Sequence, residues 1–248
     1  MHKEQVIAQL YEMHLSAMAN AFQTRIDNGD ARALSPEDFF ALLVEDEYSE
    51  RKHRKLNRMI SRANFKPEQA CIENLDYSPP RGLQKEEVLK FSTDSWVKNA
   101  ETIIITGSTG CGKTYLAEAL GLHACKLGYA TQKIRYPILF EEIRSARGTG
   151  TYLRFLKKIA KISILIIDDF LMSPIAAQEI QFLLEIVEQR SQTSALIITT
   201  QFPIDKWYSQ LSDPTLADAL CDRLVHNAYK FNLKGESMRK KIKKSSPK

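Results

Sequence analysis

Residues 102–114 constrain this chain more than any other stretch. They read Thr-Ile-Ile-Ile-Thr-Gly-Ser-Thr-Gly-Cys-Gly-Lys-Thr. The apolar run Ile103–Ile105 predicts a buried strand, and Tyr115-Leu-Ala-Glu-Ala-Leu predicts a helix. Between them, Gly107–Thr114 fits the phosphate-loop pattern at every fixed position. Glycines let backbone N–H groups curl around phosphate oxygens, and the following helix N-terminus adds a favourable dipole. Gly107, Ser108, Thr109, Gly110, Cys111, Gly112, Lys113, Thr114 and Tyr115 are therefore the candidate nucleotide contacts. Lys113 is expected to reach the β- and γ-phosphates of ATP, and the Thr114 hydroxyl to ligate Mg²⁺. Cys111 reads as a small spacer within the loop.

Downstream, strand and helix patterns alternate. Strands are expected at Thr131–Tyr136, Ile162–Ile167, Ala195–Thr200 and Ala228–Leu233. Helices are expected at 115–126, 138–146, 151–160, 176–190 and 216–224. Continuously apolar strands alternating with helices indicate a parallel α/β sheet covered on both faces. Ile164-Leu-Ile-Ile-Asp168-Asp169 carries the second nucleotide signal. Four apolar residues bury the strand and two carboxylates emerge at its C-terminal end, where such sheets bind ligands. Asp168 is expected to share the Mg²⁺ shell with Thr114, and Asp169 to polarise the attacking water. Gln201 ends the next strand and is placed to sit between γ-phosphate and water. Arg223 is a candidate trans-acting arginine, or else a helix-surface residue. Arg239 either reaches the phosphates in cis or is solvated.

The first part of the chain is helical in pattern. Residues 3–28 hold a helical apolar spacing that ends at Asn28-Gly29. Ser35, Pro36 and Asp38 then start a second pattern running to about Ala63. Its phase shifts, because Phe40 and Val44 fall on the side later occupied by arginines. Either the helix breaks near Glu45–Glu47 or its first half is buried on several sides. Arg51, Arg54, Lys55, Arg58 and Arg62 share one side, with no acid between Arg51 and Lys66. A cationic helix face suits the phosphates of DNA, and a solvated or acid-paired face is the alternative. A second basic set, Arg144, Arg147, Arg154, Lys157 and Lys158, flanks Gly148-Thr-Gly150 with the same two readings. Pro79-Pro80 and Gly82 mark a linker at 71–84. A helical domain at 1–70 and a nucleotide-binding domain at 85–248 follow, the latter opening with a helix from Lys85 to Asn99.

Composition narrows the class. Across 248 residues, 44% are hydrophobic, enough for a sizeable core, and the net charge of +5 leaves its location more informative than its sum. The four cysteines have no metal-ligand spacing and read as reduced thiols. No apolar stretch approaches the ~20 residues of a membrane span, and no apolar signal core opens the chain. A cytoplasmic protein is expected.

Several motifs together resemble the IstB family of insertion-sequence ATP-binding helpers. These are Gly107–Thr114, Asp168-Asp169, Thr199–Gln201 and Asp213-Pro-Thr-Leu-Ala-Asp218. Asp222-Arg-Leu-Val-His-Asn227, Leu233-Lys-Gly-Glu-Ser-Met-Arg239 and the segment Ile72–Tyr77 also fit. The family is similar to the helicase loader DnaC, and both are AAA+ ATPases. The resemblance implies a five-stranded parallel sheet in order 5-1-4-3-2 with a small all-α N-terminal domain. It implies ATP hydrolysis, a homo-oligomer with ATP at subunit interfaces, largely sequence-independent assembly on duplex DNA, and activation of the transposase IstA. A DnaC-type helicase loader is the alternative function. It makes Lys113 and Thr114 the Walker A pair and Asp168 and Asp169 the Walker B pair. Gln201 becomes the first sensor, Arg223 the arginine finger and Arg239 the second sensor. This chain departs from most AAA+ proteins in carrying Asp at 169 rather than Glu. Residues 240–248 alone follow Arg239, so the lid is expected to be vestigial.

Overall fold

The computed structural model describes residues 2–30, 33–66, 70–78 and 81–238. The chain forms two compact units, Met1–Arg58 and Met59–Lys248.

The first unit is helical. Residues 3–28 form two helices instead of the expected one: α1 (Lys3–Glu12) and α2 (Ser16–Asn28). His14 adopts a left-handed conformation at φ 60°, and the N–H groups of His14 and Leu15 close α1 onto Tyr11 and Leu10 carbonyls. That is a helix stop built without glycine. Gly29, at φ 80°, ends α2 as the sequence predicts. Helix α3 (Pro36–Arg62) is continuous, with Ser35 accepting from the Asp38 N–H at its start. It neither breaks at 45–47 nor buries Phe40 and Val44, which are 63% and 43% exposed.

The second unit begins with a segment that differs from expectation. Ile72 and Leu83, within the expected linker, and the preceding Ala70 are buried in the same cluster as strand residues. The predicted helix Lys85–Asn99 is also broken, into α4 (Lys85–Leu89), a 3₁₀ turn at Lys90–Ser92 and α5 (Ser95–Lys98). Phe91 and Trp96 lie five positions apart, about 140° around a continuous helix. The break lets both rings enter one cluster, where they pack edge to face.

Beyond this lie β1 (Thr102–Gly107), α6 (Lys113–Lys126), β2 (Thr131–Arg135), α7 (Tyr136–Gly148), α8 (Tyr152–Ala160) and β3 (Ile164–Phe170). Then come α9 (Ala177–Arg190), β4 (Ala195–Thr200), α10 (Trp207–Gln210), α11 (Pro214–Val225) and β5 (Tyr229–Leu233). All strands pair in parallel, in the order β2-β3-β4-β1-β5. Read from the other edge this is the implied 5-1-4-3-2. Alternate strand residues build two cores. Ile103, Ile105, Ile166 and Ile197 pack with α6 on one face. Ile104, Leu165, Ile167 and Ile198 pack with α7, α9 and α11 on the other. Burial on both faces is why these strands read as unbroken apolar runs. Among the described residues no helix is long and apolar enough to cross a membrane.

Candidate functional site

The glycine loop leaves the C-terminal end of β1 and enters α6 at Lys113. Gly112 precedes the helix at φ 98°, a left-handed conformation that L side chains rarely adopt, and no side chain caps the helix. Gly107, at φ 146°, passes so close to the Leu233 carbonyl that an added Cβ would sit 2.3 Å from it. Two of the loop's carbonyls are tied down by protein groups. The Gly110 carbonyl accepts from the Met238 N–H at 2.9 Å, and the Cys111 carbonyl accepts from the Arg81 guanidinium. On the inner side lies a cavity of about 330 Å³ lined by Thr109, Lys113, Thr114, Tyr115, Asp169 and Gln201, among others.

Lys113 is 6% exposed and donates to the Gly107 and Ser108 carbonyls, each at 2.9 Å. Its ammonium therefore rests over the loop mouth. Thr114 donates to Asp168 Oδ1 at 2.8 Å, across 54 residues of sequence. Thr199 donates to the same oxygen at 2.5 Å and accepts from the Asp169 N–H at 3.1 Å. One hydroxyl at the end of β4 thus joins both acids. The register between β3 and β4 shifts between Ile167 and Phe170, and Asp169 takes φ 60°. A bulge of this kind re-aims a side chain at a strand end. Asp169 lines the cavity, and its carboxylate receives Arg135 Nη2 at 3.2 Å and Nε at 3.3 Å. Gln201 accepts from the Thr109 hydroxyl at 2.7 Å, bridging β4 to the loop.

The remaining candidates disperse. Arg223 is not at this chain's own glycine loop. It donates to Glu188 at 2.8 Å and to the Ala219 carbonyl at 3.0 Å. Glu188 lies in the last turn of α9. That end is fixed by Arg190 to the carbonyls of Ile162, just before β3, and Ala195, the first residue of β4. In a parallel sheet that is the edge opposite the loop. Arg239, and with it the expected lid, lies outside the described residues.

The basic sets divide into paired and unpaired members. Arg51 pairs with Glu47 at 2.7 Å, and Arg54 with Glu50 at 3.2 Å. Arg144 pairs with Glu179, and Arg147 stacks 4.6 Å over the Phe182 ring. Lys55, Arg58, Arg62, Arg154, Lys157 and Lys158 are exposed and have no ion pair among the described residues.

Sequence reasoning missed four residues at the site: Lys66, Arg81, Glu118 and Arg135. Lys66 and Glu118 line the cavity, and Glu118 forms a buried ion pair with Lys133. Arg135 had a legible signal, since it ends the strand that pairs with the acid-bearing one, in register with Asp168. Arg81 had none, being set in a Pro/Gly-rich segment.

The family model described as IstB-like ATP binding protein matches residues 8–246. The chain is 38% identical over 238 residues to y4pL of Sinorhizobium fredii, described as a putative insertion sequence ATP-binding protein. That match covers 96% of this chain and 97% of the relative. The putative ATP-binding protein of insertion sequence IS5376 from Geobacillus stearothermophilus is 27% identical over 242 residues, covering 98% and 96%. The DnaI crystal structure matches with a TM-score of 0.59 at 19% identity, over 72% of this chain and 94% of that one. The DnaC helicase loader matches with 0.55 at 18%, over 66% and 97%. At those identities the likeness is one of fold.

Proposed function

The chain belongs to the IstB-like ATP-binding protein family, and from that premise we propose that it is a cytoplasmic ATPase. ATP joins its subunits on duplex DNA, and the assembly recruits and activates the transposase of its insertion sequence. The observation that carries the ATPase reading is the convergence of Lys113, Thr114 and Asp169 around one cavity, with Asp168 held against it by the Thr114 hydroxyl. Lys113, which rests on two loop carbonyls, moves onto the β- and γ-phosphates. Thr114 and Asp168 offer hard oxygen donors 2.8 Å apart, a donor set that fits Mg²⁺. Bound there, Mg²⁺ would neutralise negative charge on the ATP phosphates. Asp169 orients the attacking water, and Gln201 reaches the γ-phosphate from β4.

The position of Arg223 supports action in trans. Set at the opposite edge of the sheet from its own loop, it serves a neighbour's phosphates once the Glu188 pair opens. The unpaired cations Lys55, Arg58, Arg62, Arg154, Lys157 and Lys158 support backbone contacts to DNA with little sequence readout. Duplex is favoured over single strands because the second basic set has few aromatics beside it. Near the second set, the Tyr152 ring is turned inward, its hydroxyl on Glu185 and its face toward Phe182.

Sizing the full chain with ATP and Mg²⁺, with and without duplex DNA, tests the whole reading. The expected result is an oligomer that requires ATP and grows or persists on duplex, with ATPase stimulated more by duplex than by single strands. A monomer under all conditions removes the assembly role. Stronger stimulation by single strands favours a helicase loader.

A further inference from the structure

We propose that Arg81 is a positioning residue for the nucleotide: it holds the outer carbonyl of the phosphate loop so that the loop presents its N–H groups to the phosphates. The inference rests on the ATPase reading above.

The residue is fixed before its side chain is considered. Its N–H donates to the Ser78 carbonyl at 3.0 Å and its own carbonyl accepts from Lys234 at 2.8 Å. It is thereby tied to the segment after β5, whose Met238 N–H holds the Gly110 carbonyl. The side chain then runs inward to the Cys111 carbonyl, thirty positions away in sequence. Asp76 meets the guanidinium at 3.4 Å. The Ser78 N–H and hydroxyl, with help from Arg81, hold the Asp76 carboxyl down to about 2, so this counter-charge persists throughout the neutral range.

Two observations set this arginine apart from ordinary packing. It is only 8% exposed, yet its Nε finds no acceptor among the described residues. Burying a guanidinium with an unsatisfied donor is unfavourable and calls for a compensating role. Secondly, a Cβ on Gly112 would lie 2.8 Å from Arg81 Nη2. The guanidinium occupies the space that glycine at this position leaves open. In a trans peptide, C=O and N–H point in opposite directions. With the Cys111 carbonyl turned out to Arg81, the Gly112 N–H is turned toward the cavity that Gly112 lines. A cation on the carbonyl also polarises the peptide and strengthens that N–H as a donor. Arg81 thus acts on phosphate through the peptide between them.

The test measures ATP binding with Mg²⁺ by calorimetry, and steady-state turnover, for the full chain and for Arg81→Ala, Arg81→Lys and Asp76→Asn. The wild-type chain is measured first, and its failure to bind ATP would sink the ATPase reading and this inference together. With binding established, Arg81→Ala is expected to raise Kd and KM by roughly ten-fold, about what one charge-assisted hydrogen bond supplies. The effect on kcat at saturation should be smaller than that on KM. Arg81→Lys should recover part of the loss, and Asp76→Asn should weaken binding by roughly three-fold. An unchanged Kd in Arg81→Ala overturns the inference while leaving the ATPase reading intact, as does a fall in kcat at constant KM. Should Arg81→Ala not fold, Asp76→Asn decides, and wild-type affinity in that variant overturns the inference.

Discussion

Two helix N-termini in this molecule share one problem and solve it differently. At the start of α2 the N–H groups of Ala17 and Met18 donate to Glu47 Oε2 at 2.9 and 3.1 Å. Glu47 is 4% exposed, and its other oxygen takes Arg51. Arg51 in turn holds the carbonyl of His14, in the turn that precedes α2. At the start of α6 no side chain caps the helix, and the loop before it is held open from outside. Unpaired N–H groups at a helix start attract an anion in either case. In the first, the chain supplies the anion permanently, and the result is structure. In the second, no side chain fills the place, and the result is the candidate phosphate site.

The largest expected effect lies at the free terminus. Lys113→Ala should lower ATP turnover by on the order of 10³-fold, while the thermal unfolding of the nucleotide-free chain changes little. If turnover survives, α6 is not the phosphate-binding terminus and the contrast fails. Next comes the filled terminus. Glu47→Ala leaves two N–H groups and Arg51 without their partner, and should destabilise the helical unit by about 3 kcal/mol in urea unfolding. Turnover per folded molecule should persist.

The acid limb of unfolding sharpens the same point. Burial pushes the Glu47 carboxyl up, but Arg51 and the N–H groups of Met18 and Ala17 outweigh it and hold the group below its ordinary value. Its stabilisation is complete above the unfolded-state pKa and is lost as pH falls through the lower folded-state pKa. Glu47→Gln should flatten that acid limb. A limb of unchanged steepness would remove Glu47 as its source.

The smallest effects carry the distinction to the surface. Changing Arg154, Lys157 and Lys158 together to Ala should weaken DNA binding and reduce the slope of log affinity against log salt by about 2 to 3. Arg144→Ala, whose charge is matched by Glu179, should alter that slope by well under one. Equal effects from both would show that an internal partner does not withdraw a cation from DNA.

Much of the site was legible because its determinants are local. Gly107–Thr114 encodes its own backbone, and Ile164–Asp169 encodes a buried strand ending in acids. Parallel pairing then brings those ends together, which is how Thr114 meets Asp168. Arg81 shows where legibility ends, since it acts on a group thirty positions away with no local pattern to mark it. The apolar periodicity of residues 3–28 predicts a helix but says nothing of a carboxylate arriving from α3. That carboxylate caps the start of α2.

By itself, the sequence determined the glycine loop between strand and helix, the parallel α/β class, the strand order through its family resemblance, and the two acids at the C-terminal end of β3. These follow from backbone preference and apolar periodicity, which act over a few residues. Only the tertiary structure decided which charges are free. It paired Arg51, Arg54 and Arg144, left Lys157 and Lys158 without an ion pair among the described residues, and sent Arg223 to the end of the sheet opposite the glycine loop. It also drew Ile72 and Leu83, in an apparent linker, into the core. An ion pair depends on distance in space, and two residues remote in sequence carry no record of that distance until the chain has folded.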